Sequence, residues 1–145
     1  MSYLFLLLPL ISILIAQSAK FFVKSNRRKL NFKSLMSYSG MPSGHSALVI
    51  SLLTIVGLIE GVYSSDFAIS AVIAIVVIRD ALGLRIYLGQ HGKILNLLVK
   101  DLKDDKYLDD EYPHLLEKIG HTLPQVLVGS LIGFLVSFLG FYLLG

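Results

Sequence analysis

The chain has 145 residues, of which 54% are hydrophobic and 16% are charged, and its mean hydropathy is +0.72. Soluble domains carry about a quarter charged residues, so this composition excludes a soluble enzyme and a disordered tail. Cysteine is absent, which excludes a disulfide-stapled secreted module, a thiolate metal site and a cysteine nucleophile. The net charge of +3 is small and, as a sum, indicates no particular partner.

Four apolar stretches are long enough to cross about 30 Å of hydrocarbon as helices. They run over residues 3–22, 46–63, 66–88 and 123–144, and the polar segment 90–120 separates the last two. We expect one or two interfacial helices in that segment. The sequence thus predicts one all-α integral membrane domain, residues 1–145, with four spans. The spacing Gly129-x3-Gly133 in the fourth span predicts close helix packing, within the chain or in a homo-oligomer.

The basic residues indicate how these spans are oriented. All 13 lie either in the last part of the first or third span or in the segment that follows it: Lys20, Arg79 and Arg85 are inside the span ends and the other ten are between spans. Four alternating spans place both regions on one side, which the positive-inside rule assigns to the cytoplasm, with both termini outside the cell membrane. The segment Ala16–Ala19 resembles a signal-peptide cleavage site. However, no positive charge precedes the first span and a basic block follows it, which favours a retained anchor.

Three polar clusters lie at the cytoplasmic ends of the predicted spans. Lys20 and Arg27 are seven residues apart, which places them on one helical face where the first span ends. The second span opens with the segment Met41–Ser46, in which Pro42 or Ser43 can start a helix. Gly44 allows close approach of a ligand, and His45 lies beside the free backbone N–H groups of the first turn, which can bind an anion. The fourth opens with Gly120–Gln125, in which His121 and Gln125 are one helical turn apart.

Two helix starts that each carry a histidine, together with surplus cations, are typical of phosphoryl transfer. Cations and amides hold the phosphoryl oxygens, one imidazole attacks phosphorus and the other protonates the leaving alcohol. Without cysteine or a compact carboxylate–histidine motif, we expect no metal and no other cofactor. Arg79, Asp80 and Arg85 lie in the last third of the third span, where ionisable residues mark a functional site or form a structural ion pair.

These residues resemble a known superfamily. The patterns Lys20-x6-Arg27, Pro42-Ser-Gly-His45 and His121-x3-Gln125 are similar to the three signatures of the type-2 phosphatidic acid phosphatases, which also include vanadium-dependent haloperoxidases. The closer similarity is to the divergent membrane branch, called acid phosphatase/vanadium-dependent haloperoxidase-related. Its marks are Met41–Ala47, Arg79-Asp-Ala-x-Gly83 with Arg85, Gly89-Gln90, Leu95-Asn96, Gly120–Thr122 and Gln125-Val126.

The resemblance implies a role for each matching residue. His121 would be the nucleophile that forms a phosphohistidine, and His45 the general acid. Phosphate oxygens would be bound by Lys20, Arg27, Ser43 and Gly44, with Asp80, Gln90 and Asn96 as supporting residues. The chain departs from the signatures at Arg28 (a proline in the superfamily), at Leu115 (an arginine) and at Gln125 (an aspartate that orients the nucleophile). From their shared side, we expect Arg79 or Arg85 to supply the missing cation.

Two functions follow from this pattern. The first is a membrane phosphatase for a lipid phosphomonoester or pyrophosphate, with phosphatidate, phosphatidylglycerophosphate and polyprenyl (pyro)phosphates all compatible. The second is a catalytically weak protein that binds phosphate or lipid headgroups in a structural or regulatory role. The basic block 24–33 is short and juxtamembrane, which predicts membrane lipid, not nucleic acid, as its partner. The acidic run 101–111 lacks the glycine and spacing of a calcium loop, which predicts a solvated loop.

Overall fold

The structure is a computed structural model that describes residues 2–23, 40–101, 115–117 and 119–144. All regular structure in these ranges is helical. In chain order it comprises α1 (Leu4–Ala19), α2 (Gly44–Ile59), α3 (Ser65–Arg79), a π-turn (Asp80–Leu84), α4 (Arg85–Asp101) and α5 (Leu123–Leu144). The predicted all-α class is therefore confirmed.

Two helices in the described residues are long and apolar enough to cross a membrane, where the sequence predicted four. One is α5, with 22 residues, and the other is a continuous 36-residue helix, Ser65–Lys100, in which α3, the π-turn and α4 follow one another. Helices α1 and α2 have 16 residues each, about 24 Å, which is shorter than the hydrocarbon core. The prediction of four full-length spans is therefore wrong for the first two.

The two short helices end before their apolar sequences do. Lys20, Phe21 and Phe22 continue α1 only as tight turns, with backbone N–H groups donating to carbonyls three residues earlier. Regular helix ends at Ala19, with Lys20 as its C-cap, and the predicted placement of Lys20 and Arg27 on one helical face stays a prediction because Arg27 lies outside the described residues. Helix α2 ends before Gly61, whose φ of 85° is the left-handed conformation that terminates many helices.

The third predicted span continues further than expected. The sequence placed a polar segment from Gln90 onward, but the chain stays helical to Asp101. Its exposed surface includes Leu88, Ile94, Leu95 and Leu98 together with Lys93, so α4 has the mixed composition that the predicted interfacial helix requires. The acidic run beyond Asp101 lies outside the described residues.

Helix α2 is the centre of the bundle, because it contacts α1, α3 and α5. Helices α2 and α5 run parallel along a seam of small residues that repeats every four positions. A β-carbon at Gly129 would overlap the carbonyl oxygen of Ser43, and one at Gly133 would overlap that of Ala47. One turn further, the hydroxyls of Ser51 and Ser137 lie 2.6 Å apart. The seam therefore needs glycine at its first two steps and a hydrogen-bonded serine pair at the third.

Helix α1 runs antiparallel to α2 and completes the core. Leu4 and Leu8, near its start, pack against Ile55, near the end of α2, and these three side chains are almost fully buried. Halfway along, the Ser12 hydroxyl donates to the carbonyl of Ala47 at 3.1 Å. The apolar core thus occupies the end of the bundle opposite to the starts of α2 and α5, where the polar residues gather.

The seam makes a prediction about stability. Replacing Gly129 by alanine forces α2 and α5 apart, so we expect the free energy of unfolding in detergent to fall by about 1–3 kcal/mol. The matched control is Gly83→Ala, because no atom lies within 4 Å of a β-carbon there and alanine favours helix over glycine. Equilibrium unfolding of the two variants beside the wild type checks this. A Gly129→Ala protein as stable as Gly83→Ala contradicts it.

Candidate active site

The starts of α2 and α5 are joined by a backbone hydrogen bond. The N–H of Ser43 donates to the carbonyl of Gln125 at 3.0 Å. Ser43 is also the N-cap of α2, since its hydroxyl accepts hydrogen bonds from the N–H of Ser46 at 3.4 Å and from the hydroxyl of Ser46 at 2.9 Å. The predicted helix start at Ser43 is therefore confirmed. His45, in the first turn, is brought to the level of the residues that open α5.

The backbone around His121 is fixed by the π-turn. The N–H of His121 donates to the carbonyl of Ala81 at 3.0 Å. Gly120 precedes it with a φ of 97°, and a β-carbon at this position would crowd Ile86 and the carbonyl of Ala81. Only glycine fits both the conformation and the space. The imidazole of His121 is 3% exposed, so the π-turn positions a buried histidine at the start of α5.

Gln125 determines which ring nitrogen of His121 carries the proton. The Thr122 N–H donates to the side chain of Gln125 at 2.9 Å, and because a backbone N–H can only donate, the receiving atom is the amide oxygen Oε1. The same oxygen lies 3.4 Å from Nδ1 of His121. Nδ1 is therefore the donor when the ring is neutral, and Nε2 keeps its lone pair. The predicted adjacency of His121 and Gln125 is confirmed, and the bond from the Thr122 N–H to the Gln125 side chain is one of the two bonds of a helix capping box.

Positive groups surround His121. Burial lowers the pKa of His121 below its ordinary value of 6.5, the hydrogen bond that His121 donates to Gln125 raises it, and the charges of Lys20, His45 and Arg85 lower it further. The imidazole is therefore neutral at neutral pH. These influences indicate that Lys20, His45, Arg85 and His121, which come from four separate stretches of sequence, gather at one end of the bundle.

The π-turn also sets the partner of Arg85. Its Nε donates to Oδ2 of Asp80 five positions earlier, in an ion pair whose side chains are about one quarter and one third exposed. In a regular α-helix, residues five apart point about 140° away from each other. The wider π-turn brings Asp80 and Arg85 onto one face. Asp80 therefore pairs with Arg85 and not with its neighbour Arg79.

Other predicted residues lie elsewhere. Arg79 is exposed and lines a surface groove with Ile75, Ile78, Leu82 and Gly83. Gln90 is exposed on α4. Asn96 binds the segment that leads to His121, because its amide nitrogen donates to the carbonyl of Leu115 at 2.9 Å and its amide oxygen accepts from the N–H of Leu115 at 3.0 Å. Within the described ranges no three His, Asp or Glu side chains cluster closely enough to hold a metal ion.

Sequence reasoning missed one polar residue beside this site. Gln17, in the last turn of α1, packs against Gly44, and its Oε1 is buried without a hydrogen-bond donor from any described residue. The sequence could have indicated Gln17 as a site residue, since it is an amide side chain in a mostly apolar stretch and precedes Lys20 by one turn. The π-turn had no such signal, because its sequence, Asp80–Leu84, contains nothing that distinguishes it from an α-helix.

Comparison with known proteins agrees with the motifs that meet in this site. Residues 1–136 match the profile of the Divergent PAP2 family. The chain belongs to this family. It is 36% identical to the uncharacterised membrane protein YuiD of Bacillus subtilis (strain 168), over 76% of this chain and 75% of that protein. No solved structure matches the chain.

Membership of the Divergent PAP2 family confirms the resemblance at the level of the family. The relative from Bacillus subtilis is a membrane protein, which agrees with the two apolar helices long enough to span a bilayer. The chain is therefore an all-α membrane protein related to the type-2 phosphatidic acid phosphatases. The individual roles predicted for His121, His45 and the phosphate-binding residues remain predictions.

The charge arrangement makes a prediction that needs no substrate. Because the positive charge of Lys20 lowers the pKa of His121, Lys20→Met is expected to raise it toward 6.5. Lys93→Met removes a charge from the exposed surface of α4 and is expected to leave the pKa of His121 unchanged. Nuclear magnetic resonance of histidine-labelled protein in detergent micelles, titrated with acid, measures both. An unchanged or lower pKa in Lys20→Met contradicts this arrangement.

Proposed function

We propose that this protein is a membrane phosphatase that hydrolyses a lipid phosphomonoester or pyrophosphate through a phosphohistidine on His121, without a metal ion. The observation that carries the proposal is the state of His121: a neutral, buried imidazole whose Nδ1 donates to Gln125 and whose Nε2 has its lone pair available. Membership of the Divergent PAP2 family supports the same reaction class.

The first half of the reaction uses the two histidines in opposite roles. Nε2 of His121 attacks phosphorus, an N–P bond forms, and the P–O bond to the leaving group breaks. Protonated His45 gives its proton to the departing alkoxide. Lys20 and Arg85 neutralise charge on the equatorial oxygens, assisted by Ser43 and the free amides at the start of α2. Arg27, predicted to join them, lies outside the described residues.

The second half returns the enzyme to its starting state. Water attacks the phosphohistidine, and neutral His45 now takes a proton from that water as the O–P bond forms. The N–P bond breaks, its electron pair returns to Nε2 of His121, and inorganic phosphate leaves. Throughout, Gln125 keeps the proton on Nδ1. Unlike a carboxylate, its amide oxygen does not neutralise the imidazole when the ring becomes positively charged.

Gln125 also favours a second candidate function. Its oxygen is shared between the Thr122 N–H and His121, as a helix cap requires. A binding protein for phosphate or lipid headgroups needs the same cations and amides but no charge stabilisation of an imidazolium. In that case the site holds its ligand and releases no phosphate.

Phosphate release separates the two functions. Purified protein in detergent, without added metal, is assayed against phosphatidate, phosphatidylglycerophosphate and polyprenyl phosphates and pyrophosphates. We expect His45→Ala to slow turnover by about 10²–10⁴-fold, His121→Ala to abolish it, and vanadate to inhibit it. The control is His91→Ala, since His91 is exposed on α4. Equal background release by the wild type and all three variants rules out the enzyme.

The pH dependence tests the nucleophile directly. Attack requires neutral His121, whose pKa is below 6.5, so kcat/KM is expected to show no decline as the pH falls through 6.5 and to decline only at lower pH. The slope of log kcat/KM against pH in the acid range measures this. An acid limb that begins above pH 6.5 contradicts a buried, neutral nucleophile.

We also propose that the site faces the cytoplasm, because all 13 basic residues lie at or beyond the predicted cytoplasmic ends of the first and third apolar stretches. The chain lacks cysteine, so single substitutions report sidedness cleanly. In intact cells, Ser25→Cys is expected to resist an impermeant thiol reagent, whereas Ser65→Cys, at the opposite end of the bundle, is expected to react. The reverse labelling pattern shows an outward-facing site.

A further inference from the structure

Arg79 and Arg85 lie on the same helix but serve different surfaces. Arg85 pairs with Asp80 and acts on His121. The carbonyl of Ala81 accepts the hydrogen bond from the N–H of His121. Arg79 precedes Ala81 by two positions, which is a rotation of about 200° around the helix axis. Arg79 therefore lies on the opposite face, where its side chain is exposed.

The surface around Arg79 is an apolar groove. Ile75, Ile78 and Leu82 line it, and Gly83 leaves it open, since no atom lies within 4 Å of the position of a β-carbon there. Arg79 is the fifteenth residue of the continuous helix Ser65–Lys100, about 21 Å along its axis from Ser65. That is about 9 Å short of the ~30 Å of hydrocarbon measured from Ser65, so the guanidinium lies just inside the far edge of the hydrocarbon. Ile75 and Ile78 lie deeper than Arg79, and Leu82 and Gly83 lie nearer the headgroups.

A guanidinium at this depth is costly unless an anion accompanies it. Among the described residues at this end, Asp80 is already paired with Arg85 and Glu117 accepts a hydrogen bond from Asn96 at 3.0 Å. Of the other described acids on the helices, Glu60 and Asp66 lie at the opposite end of the bundle, and Asp101 ends α4, 22 residues beyond Arg79.

We propose that this groove binds one anionic phospholipid, with its phosphate on Arg79, its headgroup beside Leu82 and Gly83, and an acyl chain along Ile75 and Ile78. The forked guanidinium matches phosphate oxygens in a two-point contact, and the apolar walls match the chain below the headgroup. Gly83 leaves room for the headgroup beside the guanidinium. The site is separate from the His45 and His121 cluster and does not depend on catalysis.

The test compares two lipids of equal chain length. Delipidated protein in detergent is titrated with dioleoylphosphatidylglycerol or dioleoylphosphatidylcholine, and binding is measured by native mass spectrometry. The wild type is expected to prefer the anionic lipid. Arg79→Gln is expected to weaken its binding about tenfold, to the level of phosphatidylcholine, and Arg79→Lys to retain part of the preference. Gly83→Leu is expected to weaken binding of both lipids because it fills the groove.

Lys93→Gln is the matched control, because it removes one exposed positive charge from α4, outside the groove. It is expected to keep the wild-type preference. An unchanged preference in Arg79→Gln overturns the proposal, as does an equal loss in Lys93→Gln, which indicates general electrostatic attraction. Dimers that form without lipid and disappear in Arg79→Gln also overturn it, since a second copy then covers the groove. An unchanged resonance of His121 verifies that each variant is folded.

Discussion

The close approach of α2 and α5 is the contact on which the rest of the molecule depends. Gly129 and Gly133 let the backbone of α5 touch the carbonyls of Ser43 and Ala47, so the two helices pack without intervening side chains. Because the helices run parallel, their starts lie at the same end. The hydrogen bond from Ser43 to Gln125 then fixes the register between them. This register brings His45 and His121, 76 positions apart in the sequence, to one site.

The π-turn adds what a regular helix would not provide. It puts Asp80 and Arg85 on one face, and the carbonyl of Ala81 anchors the backbone of His121. Arg85 is thereby held where its charge lowers the pKa of His121. Under the proposed function, Arg85 would supply the cation that the superfamily takes from an arginine at the position of Leu115, whose backbone here binds Asn96. Arg79 lies on the opposite face of the helix, in the apolar groove.

The candidate site was more predictable than the spans. Ser43 as a helix cap and the contact between His121 and Gln125 follow from short-range rules, because each involves residues within one helical turn. Hydropathy, in contrast, measures apolar character without measuring helix length. The first predicted span therefore included Phe21 and Phe22, which lie in turns. The third predicted span ended at polar residues, although the helix continues to Asp101. The number of full-length spans was therefore overestimated.

The sequence by itself determined the membrane character, the all-α class, the histidines at two helix starts and the family, since each depends on composition or on residues close together in the chain. The tertiary structure decided which cation reaches His121, which nitrogen carries its proton and where Gln17 and Arg79 lie. These depend on helix phase, on a π-turn that shifts it and on contacts between residues far apart in the chain. The π-turn changes which residues share a helix face, and no local pattern of residues in this sequence predicts that change.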